Sequence, residues 1–356
     1  MALPSFVVGW FHLPFLACHV ILLPIINLST MSTPPLTDTS AASQAPNSAS
    51  PTAPLTQTIP QTTDWAVFKG NCHCGRYRFE YSLPKSHRLV DRAFRCTCTL
   101  CSMKGYIWLP RSSKPDEGKL TWTRGDGRLI KYESPLVSDE FCGNCGTGLQ
   151  GMHSHGPLKG LLLVNVRAFQ GVSIFFLESL VKTVYLDDEV ARELLPWTPD
   201  VMYHGRCHCG TVRFELMRTG RNPEKPWPVK EDNCSSCVRD AFVGMYPMRD
   251  YVVFSDEAYT KTFEYLYNQR AHGLRHCVTC GVMVFMTVYG PPDLAERLKY
   301  LEGQDPERGK AAKKIIEAKL NLQPVNLRTL ERVDWYEIRQ RIERTDTGTE
   351  GYVLAD

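Results

Sequence analysis

The chain has 356 residues, of which 43% are hydrophobic and 22% charged, and its formal net charge is +3. That length permits two ordinary domains with a core each, and the composition excludes a wholly disordered or fibrous protein. So small a net charge argues against a nucleic-acid or membrane-surface partner.

Residues 2–28 are uncharged and mostly apolar, from Leu3 through Phe15 to Ile26. Their length would suit a membrane span or a signal sequence. Pro14 and Pro24 interrupt the run, and no Lys or Arg precedes Lys69, whereas targeting and spanning segments normally carry flanking positive charge. The abrupt change of composition at Met31 favours a translation start there. Residues 32–64 are rich in Ser, Thr, Pro, Ala and Gln with almost no large hydrophobes, so they are expected to form a disordered leader.

Folded sequence is expected from Trp65, and it contains an internal repeat. Gly70-Asn71-Cys72-His73-Cys74-Gly75 returns as Gly205-Arg206-Cys207-His208-Cys209-Gly210. Each copy continues in period-two alternation, Tyr77, Phe79 and Tyr81 in the first and Val212, Phe214 and Leu216 in the second, which reads as a half-buried strand. Cys142-Gly143-Asn144-Cys145-Gly146 returns as Cys277-Val278-Thr279-Cys280-Gly281, and the spacing from Cys72 to Cys142 equals that from Cys207 to Cys277, 70 residues. Val164-Asn165-Val166-Arg167 returns as Val325-Asn326-Leu327-Arg328 after a longer excursion, which has helical spacing through Leu294, Leu298, Ile315 and Ile316. The chain divides into a leader (1–64), a first module (65–198), a second module (199–340) and a C-terminal tail (341–356). Short, Gly-punctuated strand signals predict mainly β modules of antiparallel sheets, with a helical insertion in the second.

The cysteines carry the functional signal. Thirteen of the 14 fall in short clusters and only Cys18 stands alone. Disulfide-dense scaffolds are usually small domains lacking a sufficient core, so C-x-C and C-x-x-C pairs in modules of this size favour zinc. Cys72, Cys74, Cys142 and Cys145 are expected to close one four-sulfur site, and Cys207, Cys209, Cys277 and Cys280 its twin. Between the pairs of the first copy stand Cys96, Cys98 and Cys101, where the second copy has Asp232, Cys234 and Cys237. Four ligands kept in both copies and a middle cluster altered in one suggest that the four hold the fold and the three do something separable. Three ligands with an open fourth position are characteristic of catalytic zinc. The competing reading closes that site with a further ligand such as His87 or another cysteine. Three zinc ions are expected, with a fourth open at Asp232, Cys234 and Cys237.

His73 and His208 lie inside C-x-C pairs and are expected to point away from the metal. His153 and His155 flank Ser154 and read as a solvated loop. The Asn-x-Arg repeats, kept in both copies, read as structural, and Lys310, Lys313, Lys314 and Lys319 as one solvated helix face.

The pattern G-x-C-x-C-G, C-x-C-x-x-C and F-C-x-x-C-G-T, here Gly70 to Gly75, Cys96 to Cys101 and Phe141 to Thr147, resembles the glutathione-dependent formaldehyde-activating, or centromere-protein-V-like, family. The resemblance covers about residues 66–175 and again about 203–340. It implies an Mss4-like β fold and two zincs per module, with the closed site at Cys72, Cys74, Cys142 and Cys145 and the catalytic one at Cys96, Cys98 and Cys101. It also implies carbon–sulfur lyase chemistry that condenses glutathione with formaldehyde, so a small thiol and a small aldehyde are the expected partners. The second copy departs at Asp232 and at His276, which stands where the family has Phe, and reads as degenerate. The alternative function is a non-catalytic zinc-binding interaction module. Zinc-bound thiols need a reducing compartment, which favours the cytoplasm or the nucleus.

Overall fold

The computed structural model describes residues 64–111, 118–125, 128–186, 194–195, 201–217, 227–267 and 271–346, together with 352 and 354. The apolar segment, the Met31 start and, except for Asp64, the Ser/Thr/Pro-rich leader lie outside the described residues.

The first module contains ten strands: β1 (Trp65–Asn71), β2 (Arg78–Pro84), β3 (Phe94–Cys96), β4 (Trp108–Arg111), β5 (Lys119–Arg124), β6 (Ile130–Glu133), β7 (Val137–Phe141), β8 (Gly148–His153), β9 (Leu162–Asn165) and β10 (Lys182–Val184). The second contains β11 (Met202–Arg206), β12 (Arg213–Met217), β13 (Val229–Asp232), β14 (Val243–Met245), β15 (Val252–Phe254), β16 (Thr262–Leu266), β17 (His272–Cys277), β18 (Met283–Val288), β19 (Val325–Asn326) and β20 (Glu343–Thr345). Each module pairs a three-stranded sheet, β1-β2-β5 or β11-β12-β15, with a seven-stranded one. The larger sheets run β10-β3-β4-β9-β8-β7-β6 and β20-β13-β14-β19-β18-β17-β16, the same order element for element. The repeat in the sequence is therefore a repeat of topology.

Alternation does what was expected of it. Tyr77, Phe79 and Tyr81 are buried in one module, and Val212, Phe214 and Leu216 in the other. Register agrees to the level of the bulge: β7 slips against β8 between Glu140 and Phe141, and β17 against β18 between Arg275 and His276. The helical excursion forms Leu294–Gln304 and Pro306–Leu320, the second capped by the Asp305 side chain, which accepts from the Glu307 and Arg308 amides.

Two expectations change. The sheets are not wholly antiparallel, because β10 joins β3 and β20 joins β13 in parallel at one edge. Each arrives after a helix, Ile174–Leu180 or Trp335–Arg339, and a crossover of that kind delivers a strand in the same direction. The segment expected as a tail from residue 341 thus contributes an edge strand to the second module's sheet.

The modules pack against each other with near-twofold reciprocity. A Cβ on Gly146 would strike the His276 ring, and one on Gly281 would strike the Phe141 ring. These are corresponding pairs in the two copies, each Gly at φ near +70°, where a side chain would be strained even in open space. Arg167 donates to the carbonyls of Gly105 and Val238 and pairs with Glu178, while Arg328 donates to the Ala241 carbonyl at 2.8 Å and reaches Glu231 and Glu178. The Asn two residues before each Arg accepts from that Arg's amide and donates to a neighbouring carbonyl, Gly148 or Met283. No helix among the described residues is long and apolar enough to cross a membrane.

Candidate metal centres

In each module a tight turn after the first strand brings two sulfurs to one point. Cys72 ends its turn with the Gly75 amide donating to the Cys72 carbonyl at 2.9 Å, and Cys142 does the same with Gly146. Positive φ at Gly75, Gly146, Gly210 and Gly281 closes the four turns. Cys72, Cys74, Cys142 and Cys145 converge, as do Cys207, Cys209, Cys277 and Cys280, every sulfur within 4.8 Å of the others in its group.

Sulfur separations are 3.6 Å for Cys72–Cys74, 3.7 Å for Cys74–Cys142, 3.4 Å for Cys207–Cys209 and 3.6 Å for Cys209–Cys277. A tetrahedron with zinc–sulfur bonds of about 2.3 Å has edges of about 3.8 Å, whereas a disulfide brings its sulfurs to about 2.05 Å. The thirteen described cysteines are all unbridged. Backbone amides also point at the sulfurs, Tyr77 N–H to Cys72 and Val212 N–H to Cys207, both at 3.3 Å. Hydrogen bonds from Cys142 and Cys145 hold the Cys74 thiol far below the ordinary range, while burial and the neighbouring sulfurs push Cys145 well above it. Sulfurs crowded in this way oppose one another's ionisation, and a divalent cation would relieve the conflict.

The third cluster is built differently. Cys96 ends β3, Cys98 caps the short helix Thr99–Met103, and Cys101 lies within it. The Cys98 amide donates to the Cys96 sulfur at 3.4 Å, and Trp108 Nε1–H donates to the Cys101 sulfur at 3.1 Å. His153 completes the group, its Nε2 at 3.6 Å from the Cys101 sulfur. The three cysteines are at most 5% exposed and His153 is fully buried.

The reading of His153 as part of a solvated loop is corrected, because β8 continues to that residue and pairs it with Val137 on the inner face. His155 is exposed, and His87 is not in the cluster. The fourth position expected to be open therefore faces a donor. His153 Nδ1 is buried with no hydrogen-bond partner among the described residues. Metal-bound histidines ordinarily anchor their second nitrogen, so this ring is the least fixed donor of the four.

In the second module Asp232, at the end of β13, meets Cys234 and Cys237 at the start of the helix Ser235–Asp240, all three buried. Correspondence between the two copies groups these three, and the structure brings them together. It also shows where the C-x-C histidines go. His73 points away from its sulfurs, with Nδ1 at 2.8 Å from the Tyr265 hydroxyl and Nε2 at 3.0 Å from the Ser235 hydroxyl. Burial, and then Arg239, bring its pKa down to about 3. His208 mirrors it with Nδ1 at 2.8 Å from the Tyr132 hydroxyl of the first module. Both rings are interface contacts.

Residues 67–172 match the family model described as glutathione-dependent formaldehyde-activating enzyme. No curated protein matches the chain. Among solved structures, the crystal structure of a Rhodobacter sphaeroides protein from a structural-genomics programme is similar, at 16% identity and a TM-score of 0.28, covering 40% of this chain and 99% of that one.

Proposed function

We propose, from the premise that residues 67–172 are a domain of the glutathione-dependent formaldehyde-activating family, that the first module joins a small thiol to a small aldehyde at Cys96, Cys98, Cys101 and His153. Glutathione and formaldehyde are the substrates the family description suggests, and zinc is the metal its thiolate-rich donor sets suit. The observation that carries the reading is the unanchored His153 in an otherwise three-sulfur group. The four-sulfur groups, Cys72, Cys74, Cys142 and Cys145 and their twin, have no such donor and serve folding. A reducing compartment, the cytoplasm or the nucleus, suits both.

Zinc held by the three cysteines would supply positive charge that favours the thiolate form of an incoming thiol. The protein's own groups account for the remaining chemistry. His153 takes the thiol proton on Nε2. The thiolate sulfur forms the new bond to the aldehyde carbon as the carbonyl π bond opens, and the proton on His153 passes to the alkoxide oxygen. Thiol and aldehyde are thus combined into a hydroxyalkyl thioether with nothing lost. Trp108 draws charge from the Cys101 sulfur through its N–H, which would leave more acidity on a metal held by the three thiolates.

One observation favours a second reading, a non-catalytic zinc module: all four donors are buried. The two are separated with the full chain, its Cys98→Ser variant and its Cys142→Ser variant. For the enzyme, glutathione-dependent consumption of formaldehyde should exceed the uncatalysed rate. Cys98→Ser should fold, lose one metal and lose that excess, whereas Cys142→Ser should not fold. No excess rate in the parent with any of a panel of thiols and aldehydes would leave the binding module, and a folded, metal-depleted Cys98→Ser with full rate would refute the site.

A further inference from the structure

The two parallel edge pairs meet at the module interface, and their charges are related by the same near-twofold reciprocity. Thr183 on β10 pairs with Arg95 on β3, and Arg344 on β20 pairs with Glu231 on β13. Glu178 stands five residues before Thr183 in the helix that precedes β10, and Arg339 stands five before Arg344 in the helix that precedes β20. Arg95 therefore corresponds to Glu231, Glu178 to Arg339 and Thr183 to Arg344. In the first two of these correspondences the charge is reversed between the modules.

Arg344 lies between two carboxylates, Glu231 at 3.1 Å in its own module and Glu178 at 3.8 Å across the interface. By the same symmetry Thr183 lies between two guanidiniums. One is Arg95 of its own module, whose Nη2 is 3.3 Å from the Thr183 hydroxyl, and the other is Arg339 across the interface. A cation set between two anions is thus matched by a neutral hydroxyl set between two cations.

The two carboxylates are already shared, Glu178 by Arg167, Arg328 and Arg344, and Glu231 by Arg328 and Arg344. Neither Arg95 nor Arg339 has a carboxylate partner among the described residues, and Arg95 Nε is buried with no acceptor among them. Desolvation, and then the charges of Arg328 and Arg95, hold the Arg339 guanidinium below its ordinary range. A guanidinium has only donors to offer, so a buried one without an acceptor bears the full cost of its lost water.

We infer that Arg95, Thr183 and Arg339 form an oxyanion site at the module interface, suited to a doubly charged tetrahedral anion such as a phosphate group. Each guanidinium presents a flat pair of N–H donors to two oxygens, and two guanidiniums balance a charge of two. Arg339 is exposed, so the site opens to solvent on the second module's side, while Arg95 Nε closes its inner end. The site uses no member of the metal groups, and it is independent of the chemistry proposed for the first module.

Calorimetric titration of the metal-loaded full chain with inorganic phosphate, at fixed ionic strength, tests it. The parent should bind one phosphate per chain. Arg95→Gln and Arg339→Gln should each weaken binding at least roughly tenfold with metal content unchanged, whereas Arg249→Gln, at an exposed arginine of the second module, should not. In phosphate-free buffer Arg95→Gln should melt no lower than the parent, because it relieves repulsion between like charges, and added phosphate should then raise the melting temperature of the parent alone. No binding to the parent, or equal affinity in Arg339→Gln, would overturn the site, and that exposed side chain keeps the test open should Arg95→Gln not fold. Titration with glycerol phosphate separates the sources: binding of both probes upholds a site for a phosphate carried by a larger molecule, and binding of inorganic phosphate alone upholds one for the free ion.

Discussion

Asp139 is fully buried and holds two donors at 2.6 Å, the Lys104 ammonium and the Tyr106 hydroxyl. Removing one member of a buried ion pair strands the other charge, which typically costs 3–5 kcal/mol. Asp139→Ala should lower stability by about that amount in denaturant titration, with Lys104 the group left unsatisfied. Gly146 is constrained twice, by its left-handed backbone and by the His276 ring in the space a Cβ would fill. Gly146→Ala should therefore cost more than the roughly 1 kcal/mol of an unfavourable φ alone, and Gly171→Ala, also at positive φ but with open space around it, serves as the control. A drop in melting temperature no larger at Gly146 than at Gly171 would count against the interface contact. At this scale the sequence was an uneven guide. The cysteine groups were legible because a metal imposes its spacing on the chain. His153 was not, because its burial depends on where β8 ends, and a histidine at a strand end looks the same in or out of solvent.

The helix Ile174–Leu180 contributes Glu178, 11% exposed, to a group of arginines drawn from both modules: Arg167, Arg328 and Arg344. Burial opposes its charge, but Arg167 and then Arg328 outweigh burial and hold the carboxyl below its ordinary range. Between its folded pKa and the ordinary value near 4.5 the unfolded chain binds more protons than the folded one. The stabilisation is therefore complete above that ordinary value and is lost as pH falls through the folded pKa. Melting followed from pH 7 down to pH 4 should show the parent losing more stability than Glu178→Gln, and parallel curves would show that the carboxylate contributes nothing. Among elements, alternation disclosed β2 and β12, and apolar spacing disclosed the long helices of the insertion. The parallel edge strands β10 and β20 escaped notice, since three residues are too few to set a period and their pairing is decided by partners far away in the chain.

At the scale of the whole molecule, four-sulfur groups tie the first strand of each module to the hairpin formed by its seventh and eighth. Structural zinc in such sites supplies about 10–16 kcal/mol, as much as the net stability of a domain. Stripping metal with a strong chelator at neutral pH should collapse the strand signal in circular dichroism, and returning zinc should restore it. Retention of the full signal after complete demetallation would assign these groups a role other than folding. The packing of one module on the other left no trace in the sequence because it is made by single residues, a glycine under a ring or an arginine under a distant carbonyl, with no repeat of their own.

The reciprocal seating of Phe141 on Gly281 and His276 on Gly146 has the form of a symmetric dimer contact, yet both halves belong to one chain. Two separate copies would have to find each other, and their association would weaken on dilution. Here the connecting segment fixes the local concentration of each half around the other, so melting should be the same at nanomolar and micromolar protein. A contact made permanent in this way also lifts the requirement that the two faces stay identical. Phe141 and His276 already differ at corresponding places, and so do the donors gathered around Cys101 and Cys237.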